Sequence, residues 1–222
     1  MAAWDSADLL SRVQFHANRP SVDESMTNAN WYTLLSDAQQ KWVRVIAALA
    51  PESQMGDPVL LTEATTGKIW TFPAWPMGHL ELRDGRDGPL LTVGADYLDS
   101  TDFVWEGDQV RVPSNQTRSF PDGVYARYVA VPDVISAAVE PTLRPAPARM
   151  LLVYEACAEW AGRGGHRDPG PYLTKLQRLW YGDPALPGDT GLLGMFRTQV
   201  LGQGIDAAAG GAGRWYRTAD FF

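Results

Sequence analysis

Three histidines and one cysteine bound the chemistry open to this chain of 222 residues. His16, His79 and His166 stand far apart in sequence, and none meets another His, a Cys or a Glu at a metal-ligand spacing such as H-E-x-x-H or C-x-x-C. The spacing puts His16 at the end of a helix, His79 at the start of a strand and His166 in a Gly-rich loop, where surface or capping roles are ordinary. A Cys157–His166 pair could in principle form a nucleophile and its base. Cys157 falls on the apolar stripe of a helix, however, where a small buried thiol is the expected reading.

The phosphate and acyl-transfer motifs are missing as well. No G-x-S-x-G elbow occurs, and Gly67-Lys68 lacks the upstream Gly and the following Ser or Thr of a P-loop. The string from Gly202 to Ala207 fits a loose G-x-G-x-x-A but follows a helix rather than a strand, so the context of a dinucleotide turn is absent. Asp96, Asp99, Asp102, Glu106 and Asp108 offer oxygens of the kind Ca²⁺ takes, yet their spacing fits no EF-hand loop and acidic hairpin tips explain them. Asn115-Gln116-Thr117 satisfies a glycosylation sequon that has no secretory signal to give it meaning. The expectation is a chain with no catalytic residue, no cofactor and no metal: not an enzyme.

The aromatic residues say more. Nine Trp, eight Tyr and seven Phe favour stiff packing or broad interfaces. Trp70, Trp75 and Trp105 fall in or beside predicted strands, where they either fill a thin core or form a platform for sugar rings. At the C-terminus a Gly/Ala-rich leader runs into Arg214, Trp215, Tyr216, Arg217, Phe221 and Phe222. Such a tip builds no core of its own, and the six residues are predicted to bind a partner.

Bulk properties narrow the class. A lone cysteine excludes an intrachain disulfide, the start Met1-Ala2-Ala3-Trp4-Asp5 lacks a basic then apolar leader, and no apolar run suits a membrane span. A soluble protein of a reducing compartment is expected. The net charge of −7 is uneven: residues 1–50 carry five acids and four bases, 51–131 twelve and six, and 132–222 nine of each. An acidic chain does not grip phosphates, although DNA could slide past it.

The elements that must carry these residues follow from periodicity. Asp5 or Ser6 caps a helix with Leu9, Leu10, Val13 and Ala17, and Thr27 or Asn28 caps a longer one from Trp31 to Leu49 that stops at Pro51. Short strands are predicted at 59–62, 69–72, 79–82, 90–93, 103–105, 109–112 and 124–131, separated by Gly- and Asp-rich turns. Helical spacing returns at 150–161, near 171–181 and at 192–200. The predicted fold class is α+β. A helical body (1–56 and 132–202) carries an inserted small antiparallel β module (57–131) and ends in an extended C-terminal arm (203–222).

That layout, together with residues 11–31 (SRVQFHANRPSVDESMTNANW) and 149–161 (RMLLVYEACAEWA), resembles head–tail adaptor proteins, or connectors, of long-tailed bacteriophages and gene-transfer-agent-like particles. The resemblance runs through most of the chain and is loosest in the β module. It implies a virion neck protein, made in the bacterial host cytoplasm, whose copies form a ring, usually of twelve, beneath the portal. C-terminal segments then bind the portal, a stopper or tail-completion protein attaches below, and DNA passes through without specific binding. Adaptor channels are typically acidic, so either the β module contributes to the channel or the nearly neutral helices segregate their charges between faces. The alternative from another class is a virion-associated receptor- or glycan-binding β module flanked by helices.

Overall fold

The computed structural model describes residues 4–18, 26–65, 67–94, 102–113, 119–163 and 167–208, with backbone alone for 200–208. The fold is α+β and divides into two compact units, one from 1–53 with 132–222 and one from 54–131.

Among the described residues the first unit holds five α-helices: α1 (Ser6–His16), α2 (Asn28–Leu49), α3 (Met150–Arg163), α4 (Gly170–Tyr181) and α5 (Gly191–Ala208). Local chemistry sets their ends. The Asp5 carboxylate accepts from Asp8 N at 2.7 Å and Thr27 Oγ1 from Asn30 N at 3.3 Å, each satisfying an amide that the first turn leaves unpaired. Pro51 has no N–H to continue α2, whose last bond runs from Ala50 N to Ile46 O. On α2, Trp31, Leu34, Leu35, Ala38, Trp42 and Ile46 are buried, the face the periodicity foretold. α3 buries Leu151, Leu152, Val153, Ala156, Cys157, Ala158 and Ala161, a stripe wide enough to pack against α1, α2 and α4. Aromatic pairs join neighbours: Trp31 with Trp160 at 5.6 Å, Trp42 with Trp180 at 4.9 Å, and Trp180 with Phe196 at 6.1 Å. α5 runs to Ala208, so residues 203–208, expected as the root of an extended arm, are helical.

Among the described residues the second unit has nine strands: β1 (Val59–Leu60), β2 (Thr62–Thr65), β3 (Ile69–Thr71), β4 (Pro76–Asp84), β5 (Leu90–Leu91), β6 (Val93–Gly94), β7 (Phe103–Glu106), β8 (Gln109–Arg111) and β9 (Val124–Ala130). They form two sheets, ordered β1-β9-β4-β5 and β2-β3-β8-β7-β6. The stretches expected as single strands at 59–62 and 90–93 each cross from one sheet to the other, at Leu61 and at Thr92. The sheets are thereby linked at both ends into a nearly closed barrel. Pairing is antiparallel except between β6 and β7, which run parallel, a departure from the expected all-antiparallel module. The Asp102 carboxylate accepts from Thr92 N and Thr92 Oγ1 at 2.8 and 2.9 Å and fastens that parallel pair. Leu61, Trp70, Phe72, Leu82, Phe103, Val110, Val124 and Tyr128 are among the buried residues that fill the interior.

Candidate functional site

Cys157 and His16 are packed within the helical unit. Cys157 is fully buried on α3 with its thiol directed at Val13 O, 3.6 Å away. Burial pushes the thiol up to about 12, so the nucleophilic thiolate is scarce at neutral pH. His16 packs edge-on against Phe15 and Tyr154, with ring centroids 5.4 and 5.2 Å away. Burial first, then the charges of Lys175 and Arg12, hold its imidazole below the usual value. The carbonyls of His16 and Ala17 at the end of α1 accept from Tyr172 Oη and Arg167 at 3.1 and 3.0 Å. His79 lies within β4 at a positive φ of 37°, where the register with β9 shifts. His166 lies outside the described residues, and so does the geometry of the Cys157–His166 pair.

Of the acids considered for Ca²⁺, Asp96 and Asp99 lie outside the described residues. Asp102 braces Thr92, and Glu106 is paired with Arg111 across the β7–β8 turn. The three strand-associated tryptophans separate. Trp70 is buried between Phe103 and Phe120, in edge contacts at 5.4 Å each, and Trp105 packs partly on the core while its indole N–H donates to Gly107 O. Trp75 alone of the three is mainly open to solvent, at 58% exposure.

Periodicity did not reveal a set of polar side chains that fix residues 132–149 to the helices. Ser36 Oγ accepts from Ile135 N at 2.9 Å. Gln39, fully buried, donates to Asp133 O at 3.1 Å and accepts from Thr142 N and Leu143 N at 2.8 and 3.4 Å. Arg149 donates to Leu143 O and Trp4 O, and the Glu140 carboxylate accepts from Ser6 N at the start of α1. An irregular segment needs such partners where it is buried, because no ladder satisfies its amides. The signal was present in sequence: Gln39 lies four residues after Leu35 and three before Trp42, inside the apolar stripe.

Two places remain that could receive or offer a partner. One is the arm: Arg214, Trp215, Tyr216, Arg217, Phe221 and Phe222 all lie outside the described residues, among the fourteen that follow Ala208. The other is a groove of ≈ 760 Å³ on the β unit, lined by Thr62, Glu63, Trp70, Ser119, Phe120 and Gly123 among others. No helix among the described residues is long and apolar enough to cross a membrane. No protein-family model matches the chain, and no curated protein matches it.

Proposed function

We propose that the chain is a structural protein of phage-like particles, a head–tail adaptor whose copies form a ring, of about twelve by the family's habit, between portal and tail. The observation that carries this reading is the division of one helical unit, 1–53 with 132–222, by an inserted β unit, in the order the adaptor resemblance implies. The arm beyond Ala208 serves as the anchor: Trp215, Tyr216, Phe221 and Phe222 bury in a neighbour or the portal, and Arg214 and Arg217 meet carboxylates at the rim. The structural roles of Cys157, Asp102 and Glu106 suit a protein that assembles rather than turns over a substrate.

The test is deletion of residues 209–222, which leaves α5 whole. A soluble, folded protein that no longer attaches to its portal is expected. Two buried aromatic anchors at about 2 kcal/mol each correspond to roughly a thousandfold weaker docking per arm, multiplied in a ring by avidity. Attachment of the truncated chain at the wild-type level refutes the anchor. Negative-stain images of the protein alone and mixed with portal show the ring or its absence.

Trp75 favours a second reading, a glycan-binding β unit, because an exposed indole can stack on a sugar ring. Glycan binding that Trp75→Ala abolishes without loss of fold supports it; a screen in which no glycan binds removes it.

A further inference from the structure

The groove lies at a seam in the barrel. β9 pairs with β1, and the last bond of that side runs from Leu61 N to Val124 O at 2.9 Å. Past Leu61 the chain leaves for the other sheet as β2, while residues 119–123 lead into β9. β2 is therefore the end strand of its sheet, paired only with β3 among the described residues, and all four of its residues are exposed. Such an edge invites pairing unless it is blunted. Thr62-Glu63-Ala64-Thr65 offers little resistance: it has no Pro and no Lys, only one carboxylate and a register shift between Glu63 and Thr65. An end strand with no second partner among the described residues, beside a groove lined by Trp70 and Phe120, offers the two features of a site that accepts an added strand.

We infer that this seam receives residues 214–222 of a second copy of the chain as an additional strand. The inference rests on the reading of the arm as an anchor and supplies the receiving surface on a neighbouring copy. Alternation along an extended segment puts Trp215 and Arg217 on one face. Glu63 lies directly across from Trp70 in the β2–β3 register, so the two share a face. With Trp215 toward Trp70 and Phe120, Arg217 lies two residues along, a diagonal neighbour whose long side chain reaches the Glu63 carboxylate that already accepts from Gly67 N. The wider charge balance agrees, since residues 51–131 carry twelve acids against six bases. Five residues, 209–213, separate Ala208 from Arg214 and span at most about 17 Å.

The experiment uses a fluorescently labelled peptide of residues 209–222 and, as receptor, the full chain carrying Trp215→Ala, Phe221→Ala and Phe222→Ala to silence its own tip. Saturable binding is expected, weakened about tenfold or more by Ser119→Trp, which fills the groove, and by Glu63→Arg, which reverses its charge. Both substituted residues are exposed, and an unchanged circular dichroism spectrum checks the fold of each variant. A scrambled peptide is expected to bind about tenfold more weakly. Absence of saturable binding up to about 1 mM overturns the inference, since that is the weakest affinity of consequence even in a ring. So does binding indifferent to both substitutions, or equal binding of the scrambled peptide. If the peptide fails to bind while deletion of 209–222 still prevents portal attachment, the seam falls and the anchor stands. If the peptide binds while the truncated chain attaches normally, the seam stands and portal anchoring falls.

Discussion

The two units solve the same problem, satisfying a buried backbone, by different means. Among the described residues, the buried polar side chains are Ser6, Ser36 and Gln39, all in the helical unit. The β unit has an interior of apolar and aromatic side chains, and its amides are met by ladders between strands. The difference follows from geometry. A helix satisfies its own backbone but does nothing for an irregular neighbour, so the 132–149 segment borrows donors and acceptors from α2 and Arg149. In the β unit the chain crosses from one sheet to the other at Leu61 and at Thr92, and among the described residues β2 is one of the end strands left with a single partner. The helical unit is thus sensitive to loss of a polar atom, and the β unit to loss of volume.

Substitutions can break this contrast. The largest effect is expected from Phe103→Ala, which empties the space between Trp70 and Phe120 and costs about 3–5 kcal/mol. Amide exchange should quicken across β3, β7 and β8 while α2 and α3 keep their protection; equal loss in both units contradicts their independence. Next comes Gln39→Leu, which keeps bulk but strands the Asp133 carbonyl and the Thr142 and Leu143 amides, at about 2–4 kcal/mol in urea unfolding of the helical unit. A neutral result shows that the clip contributes nothing beyond packing.

Cys157→Ala should cost about 1–2 kcal/mol, as a small core truncation does. In the native protein the thiol, raised to about 12, should resist a thiol-specific reagent at neutral pH and react on unfolding. Rapid native labelling contradicts the burial. The smallest effect concerns pH. His16 titrates below its unfolded value of 6.5 when folded, so the unfolded chain binds the extra proton first. Stability from this group is present above 6.5 and is lost as pH falls from there toward the lowered folded value. His16→Asn should therefore flatten the fall in urea midpoint between about pH 7.5 and about pH 5.5, and an unaltered slope removes His16 as its source.

Much of the secondary structure was legible because it is local. Caps at Asp5 and Thr27, the stripe from Trp31 to Ile46 and the Gly-rich turns all follow from neighbours a few residues apart. β4 was read too short, at 79–82 instead of Pro76–Asp84, because Pro76 and Gly78 look like turn residues and their place opposite Ala130 and Val129 is a matter of pairing. Neither the parallel β6–β7 pair nor the exchange of strands at Leu61 and Thr92 could be read, since both join segments distant in sequence. The end of α5 was missed because Gly202 and Gly204 suggest a break in a helix that continues to Ala208.

By itself the sequence determined the periodicities, and with them the α+β class, the acidic middle and the aromatic tip after a Gly/Ala leader. Those properties depend on residue type and spacing alone. Tertiary structure decided which polar residues are buried, which tryptophan stays exposed and where the barrel leaves an edge unpaired. Burial and strand pairing are relations between parts of the chain far apart in sequence: Gln39 acquires its role from Leu143, and β2 becomes an edge because β9 parts from the chain at Leu61.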